Sequence, residues 1–123
     1  MGSIGVRCVK SHTVLFFHFD VKITKGAGRL EFRPDPVTAK IEWGGLTSIG
    51  LRLARRLVVI LGVELLAAQG THFEVRVQLE EDWQIVLPEI VAAVREHDKQ
   101  AKLELLVNDK AMTQWHERLL RGL

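Results

Sequence analysis

The sequence contains a single cysteine, Cys8, so no intramolecular disulfide can form and a reducing compartment is expected. With only 3 prolines and 10 glycines, the composition leaves little room for disordered segments, and 47% of the residues are apolar. A length of 123 residues is typical of one domain. We therefore predict a single domain over residues 1–123.

The sequence also lacks a strong charge of one sign and a long apolar run. Its 17 basic and 15 acidic side chains give a formal net charge of +2, which is too balanced to indicate a polyanion partner by itself. The longest uncharged apolar run, Leu57 to Val63, is well short of the roughly 18 residues that a membrane span requires. The N-terminus does not carry the basic and then apolar segments of a secretory signal. We expect a cytoplasmic protein with no membrane partner.

Alternating apolar and polar residues predict an antiparallel meander over the first 45 residues. The alternation is longest between Thr13 and Thr24, where it predicts one long, half-buried strand. The Lys25–Gly28 segment (KGAG) is interpreted as a tight turn that pairs this strand with the next one. Shorter strands are predicted at Ile4–Lys10, Arg29–Arg33 and Val37–Trp43.

The segment from Leu46 to Gly70 is predicted to form one long helix, because its apolar residues fall on two sides of a helical projection. Thr47 or Ser48 would cap this helix and Gly70 would end it. The alternative breaks the helix near Arg56 and makes Leu57–Leu61 a buried strand, which the β-branched residues favour. A helix that is apolar on two sides needs cover from more than one layer.

Strands and helices alternate in the rest of the chain. The predicted elements are a strand at His72–Leu79, a helix with Pro88 in its first turn, a strand at Lys102–Val107 and an amphipathic helix that closes at Gly122. The expected class is α+β, with an N-terminal antiparallel β-meander followed by a long helix and a βαβα segment. We expect a mixed sheet with its helices packed on one face.

The densest positive cluster of the sequence consists of Arg52, Arg55 and Arg56, within the predicted long helix. Guanidinium groups bind phosphate and carboxylate through forked donors, so this cluster is a candidate surface for a nucleic acid or an acidic partner. The alternative, which we favour, is that the arginines are solvated or structurally paired, since long charged side chains usually keep their heads in water.

A second candidate site is the polar side of the predicted long strand, which carries His12, His18 and Asp20. The i, i+2 spacing would place His18 and Asp20 side by side, as a proton-transfer pair requires. The alternative is a solvated sheet face with ordinary polar residues. The sequence positions no third group beside the pair, so we assign no catalytic residue and predict neither a metal site nor a cofactor.

These observations favour a small non-enzymatic binding or regulatory module that self-associates. Catalytic motifs are missing from the sequence, and the apolar surface of the predicted helix exceeds what one sheet covers. The expected partner is a second copy of the chain, with another protein as the alternative. Two further functions stay open: binding of a nucleic acid or acidic partner through the arginine cluster, and a small enzyme that uses His18 and Asp20.

Overall fold

The computed structural model describes residues 3–7, 13–32, 43–99 and 101–105. Its elements are β1 (Ser3–Arg7), β2 (Val14–His18), β3 (Leu30–Phe32), α1 (Ser48–Val58), β4 (Val63–Gln69), β5 (His72–Val77), α2 (Trp83–Arg95) and β6 (Lys102–Leu105). Short 3₁₀ turns, Trp43–Gly45 and Glu80–Asp82, precede the two helices. The predicted α+β class is confirmed.

The strands form one sheet in the order β3, β4, β5, β2, β1, β6. Neighbouring strands are antiparallel, apart from β1 and β6, which run parallel. Gly70 and Thr71 connect β4 to β5, and the register pairs Gln69 with His72 on either side of this turn. The positive φ of Gly70, 61°, suits the residue that turns the chain. Within the part of the chain that the structure describes, no helix is long and apolar enough to cross a membrane.

The predicted long helix is wrong. Helix α1 has 11 residues and ends at Val58, and after a reversal the chain enters β4 at Val63. The alternative strand at Leu57–Leu61 is wrong too, because its first two residues end the helix and the others lie in the reversal. Residues 65–68 of β4 are all buried. A strand that is buried on both faces shows no alternation, so its sequence resembles a buried helix.

The predicted long strand and meander are also corrected. Strand β2 ends at His18, and beyond it the amides of Ile23 and Thr24 donate to the Gly70 carbonyl, at 2.8 and 3.2 Å. The apolar alternation therefore continues into a loop that packs against the β4–β5 turn. Strand β3 pairs with β4 and not with β2, so the Lys25–Gly28 segment does not close the predicted hairpin.

In the C-terminal half, the observed elements agree more closely with those predicted from the sequence. The structure has strands within His72–Leu79 and Lys102–Val107, as predicted. Helix α2 begins at Trp83, directly after a 3₁₀ turn, so Pro88 lies inside the helix and not in its first turn. The predicted C-terminal helix lies outside the described residues, as does the strand at Val37–Trp43 apart from the Trp43 backbone.

Helices α1 and α2 pack on the same face of the sheet. The strand register places Leu15, Phe17, Phe73 and Val75 on this face, where they are buried against both helices. The helices contribute Leu53, Leu57, Trp83, Val86, Leu87 and Ile90 to the same core. Part of the opposite face is buried as well, including Phe16 and Glu74.

Thr47 fixes the start of α1, as one of the two predicted caps. Its Oγ1 accepts a hydrogen bond from the Gly50 amide at 3.1 Å and donates one to the Lys22 carbonyl at 2.7 Å. The Thr47 amide in turn donates to the Ile23 carbonyl at 2.9 Å. One residue thus caps the helix and attaches it to the loop after β2.

Candidate functional site

A groove of about 280 Å³ opens beside the end of α1 and is walled on the other side by α2. We call it the apolar groove, and its lining is Arg56, Val59, Ile60, Leu61, Ile85 and Glu89. Three of these apolar side chains are strongly exposed: Val59 at 71%, Leu61 at 83% and Ile85 at 57%. A contiguous exposed apolar surface on a small domain is typical of an interaction site.

The reversal between α1 and β4 produces this exposure. The Ile60 amide donates to the Leu57 carbonyl at 3.2 Å, and the Val63 amide donates to the Ile60 carbonyl at 3.1 Å. Gly62 adopts a φ of 104°, which lets the chain enter β4 immediately. Ile60 packs partly against the core, while the residues on either side of it stay exposed. Turns are normally polar, so two large exposed apolar residues here are unusual.

An ion pair connects the two walls of the apolar groove. The Arg56 Nη2 lies 2.6 Å from the Glu96 Oε1, and the Arg56 Nε donates to the Glu96 Oε2 at 3.0 Å. Both side chains are about half exposed, so this pair contributes little to the free energy of unfolding. Its geometric effect is larger, because a forked contact restrains α1 beside α2.

The structure places all three arginines of the predicted cluster on the exposed surface of α1. Only Arg56 is paired with an acidic residue among the described side chains, whereas Arg52 and Arg55 form no ion pair within that set. The cluster therefore divides into one paired arginine and two solvated ones. Glu89 lies on α2 and Glu96 directly follows this helix, so the surface around the arginines carries both signs of charge.

The polar strand face differs from the predicted arrangement. His18 is the last residue of β2, and its ring centroid lies 5.1 Å from that of His72 on β5. Asp20 follows the strand on an exposed bend, so the two residues are not carried side by side by one strand. His12 lies outside the described residues. Among the residues that the structure does describe, no group of three or more His, Cys, Asp or Glu side chains is placed to hold a metal ion.

The most buried charged residue on that face is Glu74, which the sequence did not single out. Its side chain is nearly inaccessible and accepts two hydrogen bonds from Arg29, at 2.6 and 3.3 Å. The hydrogen bond to Glu74 raises the pKa of Arg29, and a contact with Glu31 adds to this effect. Glu74 is buried although the residues two positions away on either side of it in β5, His72 and Arg76, are only partly buried.

Neither a protein-family model nor a curated protein sequence matches the chain. Among solved structures, the fold is similar to that of protein SAV1430 from Staphylococcus aureus, with a TM-score of 0.55. The two share 13% sequence identity, and the match covers 75% of this chain and 98% of that chain. A likeness at this identity shows the fold alone, and fold by itself indicates no function.

Proposed function

We propose that the protein is a small binding module that self-associates through the apolar groove. The observation that carries this proposal is the joint exposure of Val59, Leu61 and Ile85 in one groove. Complete burial of one such side chain is worth about 1.5–3 kcal/mol, so covering several of them favours association.

The apolar surface available for self-association is not the one that the sequence predicted. The sequence suggested a long helix with two apolar sides, but the second half of that segment is β4, which is covered within the sheet. Helix α1 buries one side, including Leu53 and Leu57, and exposes its arginines. Among the described residues, exposed apolar side chains occur at the end of this helix, at Val59 and Leu61, and on the facing side of α2, at Ile85.

The composition of the groove favours a protein partner. Four of its six lining residues are apolar, and the other two are one cation, Arg56, and one anion, Glu89. Protein interfaces combine apolar side chains that exclude water with polar groups at their rim. A twofold dimer uses the same patch on both copies, which a surface with both signs of charge allows.

Light scattering coupled to size-exclusion chromatography tests the proposal across the micromolar range. We expect the parent chain to dimerise and Leu61→Glu to be monomeric, because the substitution places a charge among the apolar side chains that line the groove. The matched control is Leu79→Glu, the same change at an exposed leucine that does not line the groove. A parent chain that stays monomeric, or a loss of dimer in both variants, would contradict the proposal.

A second candidate function is binding of a nucleic acid or acidic partner through Arg52 and Arg55. Its support is that both guanidinium groups are exposed and form no ion pair with a described side chain. The nearby Glu89 and Glu96 reduce the attraction for a polyanion, so we rank this function second. Binding of a fluorescent oligonucleotide that falls steeply with salt and is lost in Arg52→Ala/Arg55→Ala would support it, and equal binding by this variant would rule it out.

A further inference from the structure

We propose that two copies associate about a twofold axis that runs along α1 and α2, so that the arginines of each copy face the glutamates of the other. The inference depends on the self-association proposed above and specifies its geometry. It follows from how charged and apolar residues are arranged on the two helices that wall the apolar groove.

Each helix presents one exposed row beside the groove. On α1 the row consists of Arg52 and Arg56, and it is continued by Val59, the residue that directly follows the helix; the spacings are four and three residues. On α2 the row consists of Ile85 and Glu89, and it is continued by Glu96, the residue that directly follows the helix; the spacings are four and seven residues. The first row is basic and the second is acidic, and each has an apolar residue at one end.

The contacts between the helices show how the two rows are aligned. Arg56 binds Glu96 at the C-terminal end of α2, whereas Val59 and Leu61 line the groove with Ile85 near its N-terminal end. The helices therefore run in opposite directions, and the apolar ends of the two rows lie together. The surface has an apolar end and a charged end, with the cations on one side and the anions on the other.

This arrangement distinguishes between the twofold axes that can place two such surfaces face to face. An axis along the helices puts α1 of one copy over α2 of the other, so arginines meet glutamates and the apolar ends meet each other. An axis across the helices puts α1 over α1, with arginine facing arginine. If that second axis passes through the apolar end, both charged rows are left uncovered. Only the axis along the helices both brings opposite charges together and covers the apolar residues.

The Arg56–Glu96 pair has a defined role in this dimer. Stacked on its symmetry mate, it forms a group of four charges whose signs alternate around the twofold axis. Because these charges lie at a partly exposed rim, their main effect is on the orientation of the partner and less on affinity. The apolar groove supplies the affinity, and the charged rows exclude the alternative axis.

The double substitution Arg56→Glu/Glu96→Arg tests the axis. It keeps the ion pair within each copy, and the net charge of the chain is unchanged. Swapped copies can still pair with each other, since glutamate then faces arginine across the interface. A swapped copy facing a parent copy would instead set arginine on arginine and glutamate on glutamate.

The measurement is the fraction of mixed dimers after subunit exchange between parent and mass-tagged swapped chains, read by native mass spectrometry. Tagged and untagged parent chains provide the statistical reference. We expect the mixed fraction to fall at least about two-fold below that reference and to recover in about 1 M salt, where the screening length is only a few ångströms. A mixed fraction equal to the reference, or above it, would overturn the axis while leaving self-association intact. Monomers throughout would overturn the proposed function itself.

Discussion

Gly50 of α1 lies against the backbone of Ile23 so closely that a Cβ atom on residue 50 would overlap the Ile23 carbonyl oxygen. The same carbonyl accepts the Thr47 amide, so the start of the helix is attached to this loop by both a hydrogen bond and a close approach. Glycine is unfavourable inside helices, and its presence here follows from the lack of space for any side chain.

Gly50→Ala is expected to destabilise the protein by about 1–3 kcal/mol, although alanine is by about 1 kcal/mol the better helix former. The helix start must move away from Ile23 to admit the methyl group. Urea denaturation followed by circular dichroism measures the change. Gly44→Ala is the matched control, because a Cβ there meets nothing within 4 Å. An unchanged or raised stability of Gly50→Ala would show that the two segments are farther apart.

Gly62 and Gly70 provide a second comparison, because both have positive φ in turns, the first between α1 and β4 and the second between β4 and β5. A Cβ on Gly62, at φ 104°, would lie 2.9 Å from the Val86 Cγ2, whereas one on Gly70, at φ 61°, meets no atom within 4 Å. We expect Gly62→Ala to lower the free energy of unfolding more than Gly70→Ala, whose cost is about 1 kcal/mol from the backbone alone. Paired thermal and urea unfolding curves would show the order, and the reverse order would contradict it.

Arg29→Ala is expected to destabilise the protein far more than Glu31→Ala. Both substitutions remove an ion pair, but the first also takes a cation from the buried Glu74, whereas the second affects an exposed carboxylate. Breaking a buried pair costs about 3–5 kcal/mol and an exposed pair about 0–1 kcal/mol; the partial exposure of Arg29 places its loss at the lower end of the first range. Equal losses in the two variants, by chemical denaturation, would show that Glu74 does not depend on Arg29.

The contribution of the Arg29–Glu74 pair to the free energy of unfolding does not depend on pH in the neutral range, because the pKa of Arg29 is raised. The hydrogen bond to Glu74 raises the pKa, so the stabilisation is complete below the unfolded-state pKa of arginine and is lost only as pH rises through the folded-state value. The difference in unfolding free energy between the parent chain and Arg29→Ala should therefore be the same at pH 7 and pH 9. A difference that shrinks between pH 7 and pH 9 would contradict a raised pKa for Arg29.

Sequence patterns identified those elements of the fold that have a regular alternation of apolar and polar residues or a clear end signal. Strand β5 alternates, α2 follows an acidic turn, and Thr47 is an effective cap, and each is found near its predicted place. The patterns failed at β4, where Leu65 to Ala68 are buried on both faces and show no strand period. Gly62 was the available signal, because a glycine between two apolar runs indicates a turn.

The candidate site was less accessible to sequence analysis than the fold. Charge density alone was enough to select Arg52, Arg55 and Arg56. Their division into paired and solvated residues depends on Glu96, which lies forty positions after Arg56 in the sequence. Leu61 is chemically the same as a core leucine, so only the three-dimensional position of the turn shows that it is exposed. The pairing of His18 with His72 likewise depends on strand register.

The parallel pairing of the first and last described strands has a consequence for synthesis of the protein on the ribosome. Ser3 lies opposite Lys102, so β1 is available early but its second neighbour is translated after almost everything else in the sheet. The β4–β5 hairpin and its helices pack against segments that are close to them in sequence, whereas one edge of β1 stays unpaired until β6 is synthesised. We therefore expect a nascent chain to expose a vacant strand edge to chaperones until β6 has left the exit tunnel.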